Sequence, residues 1–311
     1  MNVYMPEGLL YGTERNKELT ASRRGLEKAA AEGLILEGRV SLCDHKMGLH
    51  IELARGITGV IPKEEVLFSP TDEPVKDIAV LTRVGKTVAF KITGVKRDDG
   101  GECVLLLSRR EAQKECYENF IKNLTPGDII RSRITHLENF GAFLDIGCGM
   151  IALLSIDTIS VSRISHPSAR LSVGDVIFTV VKNIDAGGRI FVSERELLGS
   201  WEENAALFSE GQTVRGIVRS VENYGIFVEL KPNLAGLAEY RDDVLPGQCA
   251  AVYIKSIIPE KMKIKLIIID AHDAEYEREP LEYFINTDAV RHIDAWTYSP
   301  PSCKRVIESV F

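Results

Sequence analysis

Residues 139–146 read NFGAFLDI. Two rings, Phe140 and Phe143, flank a glycine, and apolar residues then alternate with the second ring and an acid. Successive side chains of a β-strand point to opposite faces. Ala142, Leu144 and Ile146 therefore share an apolar face, and Phe143 and Asp145 share the other. The same pattern stands at 223–230 as NYGIFVEL and at 46–53 as KMGLHIEL. There the core faces are Ile226, Val228 and Leu230, and Leu49, Ile51 and Leu53. The outer faces carry Phe227 with Glu229, and His50 with Glu52. In all three a ring shares the polar face with a carboxylate. A ring on a wet face calls for something that covers it.

Outward from this strand, the chain repeats itself. A glycine-led strand precedes each copy: GLILEGRV from Gly33, GDIIRSRI from Gly127 and GQTVRGIV from Gly211. A second such strand follows, VGKTVAFKI from Val84, VGDVIFTVV from Val173 and PGQCAAVYI from Pro246. An apolar strand closes each unit at Ser108, Ser193 and Ile267. Short glycine-bounded strands at this spacing predict a mainly β chain of three tandem five-stranded barrels, antiparallel and closed, because closure removes sheet edges. The units are predicted at 33–108, 127–193 and 211–268. Polar helices join them over 109–126 and 194–210, where SRREAQKECYENF parallels SERELLGSWEEN. The extension 1–32 holds a helix over Ser22–Glu32 with Ser22 as its cap. The extension 269–311 is also predicted helical, from Pro280 in a first turn to about Ala295.

Composition bounds the function. The 311 residues are 45% hydrophobic and 27% charged, as in a folded globular chain. No window reaches the about 18 unbroken apolar residues of a membrane helix, and the first twenty residues lack a signal-peptide core, so a cytoplasmic protein is expected. Six cysteines lie too far apart for a Cys-x-x-Cys pair, which reads as scattered free thiols with no metal and no cofactor. The net charge of −7 excludes a protein that holds a polyanion by bulk charge alone. The segment 271–311 alone holds 8 acids against 4 bases. Neither extension contains a nucleotide loop, a nucleophile elbow or a paired-carboxylate motif, so no enzyme is expected.

The glycine at 48, 141 and 225 permits a bulge or tight entry to the central strand. That brings Phe140 beside Phe143, and Tyr224 beside Phe227, as a two-ring platform. Stacking a base on such a ring contributes about 1–3 kcal/mol without regard to sequence.

The order glycine-led strand, Phe-Gly-Ala-Phe, Gly-Leu, then Asp-x3-Arg-Ile-x-x-Ser resembles the RNA-binding domain of bacterial ribosomal protein S1, an oligonucleotide-binding (OB) fold. The resemblance covers all three units. It implies single-stranded RNA as ligand and an association with mRNA or the ribosome. It also implies an RNA face built from the two rings, a His after Gly-Leu, and an Asp and Arg before the last strand. The second unit then supplies Phe140, Phe143, Asp185 and Arg189, with Ser155 at the His position. The third supplies Tyr224, Phe227 and Lys263, with Glu239 at the His position and Pro259 at the Asp position. The first keeps only His50, with Met47 in place of the other ring. Asp185 is expected to orient Arg189 rather than to touch RNA, since a carboxylate repels phosphate. Arg163 and His166, in a long connection over the barrel mouth, are expected phosphate contacts. The alternative is a protein scaffold using the barrels and the acidic tail, whose Tyr283, Phe284, Trp296, Tyr298 and Phe311 suit docking onto the third barrel or a partner protein.

Overall fold

The computed structural model describes residues 4–54, 56–70, 74–97, 103–273 and 281–311. Fifteen strands build three closed barrels. They are β1 (Leu36–Cys43), β2 (Leu49–Glu52), β3 (Thr58–Ile61), β4 (Thr87–Arg97) and β5 (Cys103–Ser108) in the first. The second has β6 (Ile129–Glu138), β7 (Gly141–Gly147), β8 (Met150–Ser155), β9 (Val176–Ile184) and β10 (Ile190–Ser193). The third has β11 (Thr213–Glu222), β12 (Gly225–Lys231), β13 (Leu234–Ala238), β14 (Cys249–Ile258) and β15 (Lys263–His272). Each barrel runs through its strands in the same cyclic order, first, second, third, fifth, fourth. The sheets are not wholly antiparallel, as the sequence led one to expect. The third strand pairs in parallel with the fifth, as in Val60↔Leu106, Leu153↔Phe191 and Leu237↔Lys265. A parallel pair needs a crossover connection, and the fourth strand with its loops supplies it.

The alternation deduced for the second strand places the core. Leu49, Ile51, Ala142, Leu144, Ile226 and Val228 are each fully buried. Around them pack the inward residues of the other strands, such as Leu36, Phe90 and Leu107 in the first barrel and Ile254, Ile264 and Leu266 in the third.

By contact density the described chain forms two compact units, divided within β6 and β7. In the first, the helix Arg23–Glu32 begins at Ser22, whose side chain accepts from the Gly25 N–H, and ends on Gly33 in the left-handed region at φ 62°. A further helix, Glu14–Thr20, precedes it. The linker helix Arg109–Asn119 is capped by Ser108. Residues 5–11 are held by buried charge. The Glu7 carboxylate takes the Arg109 Nε–H at 2.7 Å, and the Glu37 carboxylate accepts the Gly8 and Tyr11 N–H groups.

In the second unit, the linker after Ser193 departs from its counterpart. It breaks into a 3-10 turn at Arg195–Leu197 and a short helix at Trp201–Ala205, because Gly199 adopts φ 80° between them. The C-terminal extension is not helical over 281–295, which corrects the expectation for the described part of 280–295. The Asn286 carbonyl and side chain close a turn with Ala289, Val290 and Asp288. Beyond it the backbone bonds to the start of β6, Ile129 N–H to Arg291 O and Ile293 N–H to Gly127 O, so the tertiary partner replaces helical bonds. A hairpin of β16 (Ala295–Thr297) and β17 (Glu308–Val310) ends the chain. Tyr298 is buried in the core of the third barrel, and its hydroxyl donates to the Asn233 carbonyl. Tyr283 meets Phe178 edge to face at 5.8 Å.

The Tyr283 hydroxyl donates to Glu194 at 3.4 Å, while the other Glu194 carboxylate oxygen is buried without a partner among the described residues. Burial pushes this acid up to about 8, against the pull of Arg170. The folded protein therefore holds a proton that the unfolded chain releases at neutral pH. The stability this contributes is present in full below the ordinary carboxylate value, declines above it, and is gone once the pH passes about 8. The thermal midpoint is expected to fall between about pH 5 and about pH 8, and Glu194→Gln to remove part of that fall. A variant with the wild-type pH profile contradicts the assignment.

Candidate nucleic-acid interface

The glycine of the ring motif is set by a close backbone approach. A Cβ at Gly141 would lie 2.3 Å from the Leu154 carbonyl oxygen of β8, and one at Gly225 would lie 2.5 Å from the Ala238 oxygen of β13. Any side chain there would push the third strand away from the second. The tight entry turns the preceding ring back over the outer face. Phe140 and Phe143 stand edge to face at 6.1 Å and 89°, and Tyr224 and Phe227 at 6.1 Å and 86°. Phe140 is 55% and Tyr224 70% exposed, while Phe143 and Phe227 lie half-buried at the surface. The two pairs are near copies, so the sequence repeat yields a repeated ring geometry. The rings are perpendicular, which leaves each pair one exposed face and one edge rather than a flat double shelf.

Two further residues join these pairs. His136 on β6 lies nearly parallel to Phe143, with ring centroids 6.5 Å apart at 22°. Its ring also meets Glu138 at 2.8 Å. On the third barrel Phe227, Leu237 and Lys265 follow one another in register across β12, β13 and β15. At about 4.8 Å per strand this puts Lys265 about 10 Å from Phe227 along the same face. Sequence reading missed both. The signal was present for Lys265, which alternates with the buried Ile264 and Leu266. His136 becomes a neighbour of Phe143 only through cross-strand packing.

The remaining expected residues are distributed as follows. Asp185 accepts the Arg189 and Gly187 N–H groups and the Arg189 Nε–H at 2.7 Å. The Arg189 backbone N–H, followed by its guanidinium, holds this carboxyl below the usual range. The Arg189 side chain is itself 81% exposed, so the acid anchors one end of a guanidinium that otherwise faces water. Lys263 is exposed at the start of β15, opposite Ile258. Arg163 is exposed, and His166 is tied locally: its Nδ1 accepts the Ser168 N–H at 3.0 Å as the cap of the turn Pro167–Ala169. Their connection is pinned to the β12–β13 turn of the third barrel, where the Val161 N–H meets the Asn233 side chain and the Ser162 N–H meets the Pro232 carbonyl. On the first barrel His50 bonds Asp44 at 2.8 Å, and Met47 takes φ 63° beside it.

Two outer-face carboxylates are not wet, contrary to the alternation alone. Asp145 and Glu229 are 2% and 6% exposed. Asp145 accepts the Glu7, Gly147 and Gly149 N–H groups. Burial and the nearby Glu7 carboxylate push it up. Glu229 takes two bonds each from Arg170 and Arg219, at 2.6–2.9 Å. Neither can serve a ligand. The rings face solvent while the acids two residues on hold other segments down.

Among known proteins, the family model described as S1 RNA binding domain matches residues 30–102 and 123–195. The small ribosomal subunit protein bS1 of Staphylococcus saprophyticus is 29% identical over 181 residues, covering 53% of this chain and 46% of that protein. The bS1 protein of a Staphylococcus aureus strain is 26% identical over 273 residues, covering 82% of this chain and 66% of its own length. The chain thus spans about half to two thirds of these curated relatives. A crystal structure of a multidomain protein with nucleic acid binding domains from Streptococcus pneumoniae aligns over 79% of this chain and 76% of that one. It shares 16% identity at a TM-score of 0.26, too low to bear on the present fold. Two segments of the chain, residues 30–102 and 123–195, match the S1 RNA-binding domain, and the chain is homologous to the bacterial small ribosomal subunit protein bS1.

Proposed function

We propose that the chain binds single-stranded RNA on the outer faces of its barrels, in the cytoplasm and in association with the ribosome and translation, and that it works by binding rather than catalysis. One observation carries the reading. The same edge-to-face ring pair stands at the same place on the second and third barrels, partly open to solvent. A ring pair kept on a wet face twice over, at the cost of exposed apolar area, serves stacking better than it serves stability. The S1 domains and the bS1 relatives support RNA as the ligand.

Within this reading the second barrel leads, through Phe140, Phe143 and His136, with Arg189 held at the rim by Asp185. The third follows, through Tyr224, Phe227, Lys263 and Lys265. The first, with His50 already bonded to Asp44, contributes least. Arg163 and His166 serve at the periphery. The tail is a clamp on the barrels of its own unit. Its Tyr283 and Tyr298 are engaged there, so they are not offered to a partner protein.

The net charge of −7 predicts weak binding with shallow salt dependence. Titration with a labelled single-stranded oligonucleotide checks this. Phe143→Ala should weaken binding about ten- to hundredfold, the equivalent of about 1–3 kcal/mol for one stacked base, with an unchanged melting curve. Leu144→Ala, on the inner face, should instead lower stability by about 2–5 kcal/mol through the cavity it leaves. A Phe143→Ala protein that melts early yet binds with wild-type affinity when folded contradicts the placement of the ring. A larger loss from His50→Ala than from Phe143→Ala contradicts the order of the barrels.

A further inference from the structure

A cavity of about 480 Å³ lies between the outer face of the second barrel and the C-terminal hairpin of β16 and β17. The barrel wall supplies Ser155, Lys182, Asn183 and Phe191, and the hairpin supplies Glu308 and Val310. Thr158 and Val192, which also line it, are buried, while Lys182, Asn183, Glu308 and Val310 are exposed. The cavity therefore runs from solvent down to the barrel wall. Its volume falls within the about 300–1,000 Å³ of small-molecule sites. The polar groups on its wall are available. Among the described residues the Ser155 hydroxyl and the Asn183 amide make no hydrogen bond, and Lys182 makes no ion pair. Phe191 is half-buried and has no ring partner among the described residues. Arg195 is already engaged, by Glu196 at 3.2 Å and by Ser309 at 3.3 Å.

Its position connects it to the ring pair. The Ile156 N–H donates to the Phe140 carbonyl, and a Cβ at Gly141 would lie 3.0 Å from the Ser155 Cα. Ser155 therefore stands next to Phe140. Phe191 pairs with Leu153, two residues before Ser155 and so about 7 Å away along the strand. The other barrels do not repeat this ring, since the fifth-strand residues at that place are Leu106, opposite Val60, and Lys265, opposite Leu237. The hairpin wall lies outside residues 123–195, which match the S1 RNA-binding domain. The lining also selects a kind of occupant. Glu308 repels a free phosphate, whereas a flat neutral group can lie on Phe191. The Asn183 amide offers donors beside an acceptor. Unpaired bases are held in this way, with a face on a ring and an edge on side-chain hydrogen bonds.

We propose that this cavity takes one nucleobase of an RNA strand whose neighbouring base rests on Phe140 and Phe143. The base lies on Phe191, its edge bonds Asn183 and Ser155, and the adjoining phosphate meets Lys182. The C-terminal hairpin forms the opposite wall. The proposal rests on the RNA-binding reading above. It adds a position that distinguishes bases to ring pairs that stack any base alike.

The test titrates the full chain with labelled single strands of A, of C, of U and of alternating G and U. The best and worst of the four should differ about tenfold or more in affinity. Asn183→Ala, at an exposed position, should keep the melting curve and remove most of that difference. Phe191→Leu, which keeps apolar bulk and loses the ring, should weaken the preferred strand about tenfold and the others less. Lys182→Gln should lower the slope of log affinity against log salt by about 0.7, the share of one phosphate. A second arm adds each nucleoside monophosphate and follows the thermal midpoint. The monophosphate of the preferred base should raise it in the wild type and not in Asn183→Ala. A preference lost in Asn183→Ala without any monophosphate response still supports the proposal, with the base held only as part of a seated strand. A strand bound without preference, or a preference that survives Asn183→Ala, overturns it. That holds even if a monophosphate stabilises the wild type, because the cavity then takes only the free nucleotide. If none of the four strands binds, it is the RNA-binding reading that fails, and the monophosphate arm reports on the cavity by itself.

Discussion

The parallel pairing of third and fifth strands is the constraint from which the rest of each barrel follows. With Val60 paired to Leu106, Leu153 to Phe191 and Leu237 to Lys265, no strand keeps an open row of backbone donors and acceptors. Every second side chain then has a sealed interior to fill, and the intervening ones are displayed outward on a rigid surface. In the second and third barrels the glycine at the entry to the second strand is part of the same closure, because the third-strand carbonyl lies where a Cβ would be. Closing the barrel and lifting the first ring over the second are one geometric event.

Given that surface, three barrels of one pattern diverge by what occupies it. The second carries a third ring, His136, beside its pair. The third carries lysines and arginines, Lys263 and Lys265 on one side and Arg219 and Lys231 on the other. On the first, His50 is bound to Asp44 and, among the described residues, Met47 stands where the other ring would be. The carboxylate two residues beyond the ring, Asp145 or Glu229, takes a structural part. Asp145 does so through backbone N–H groups and Glu229 through buried ion pairs, and stripping Glu229 of its arginines would leave an uncompensated charge, with a cost on the order of 3–5 kcal/mol. Glu229 with Arg170, and Asn233 with Val161, Arg195 and Gly199, fasten the connections of the second unit to the β12–β13 turn.

Much of this was legible in the sequence. Alternation along NFGAFLDI separated Leu144 from Phe143 correctly, since a two-residue period leaves little freedom once one face is buried. Ser22 and Gly33 marked a helix because their conformational preferences act locally. The tail defeated the same kind of reading. Its Pro280-led pattern suited a helix, yet the backbone of Arg291 and Ile293 found partners beside β6 that no local rule could anticipate. Asp145 and Glu229 misled for a related reason. Alternation gives the direction of a side chain, and direction does not reveal that Glu7 or Arg170 will cover it.

The sequence by itself determined the number of barrels, the residues that fill them and the rings that stay outside. These depend on period, glycine placement and hydrophobicity, which are properties of short segments. Only the tertiary structure decided the perpendicular set of the rings, the approach of His136 to Phe143, and the register that brings Lys265 into line with Phe227. Each joins residues distant in the chain, and a contact of that kind is specified by the closure of the barrels and the packing of the connections, not by any segment that contributes to it.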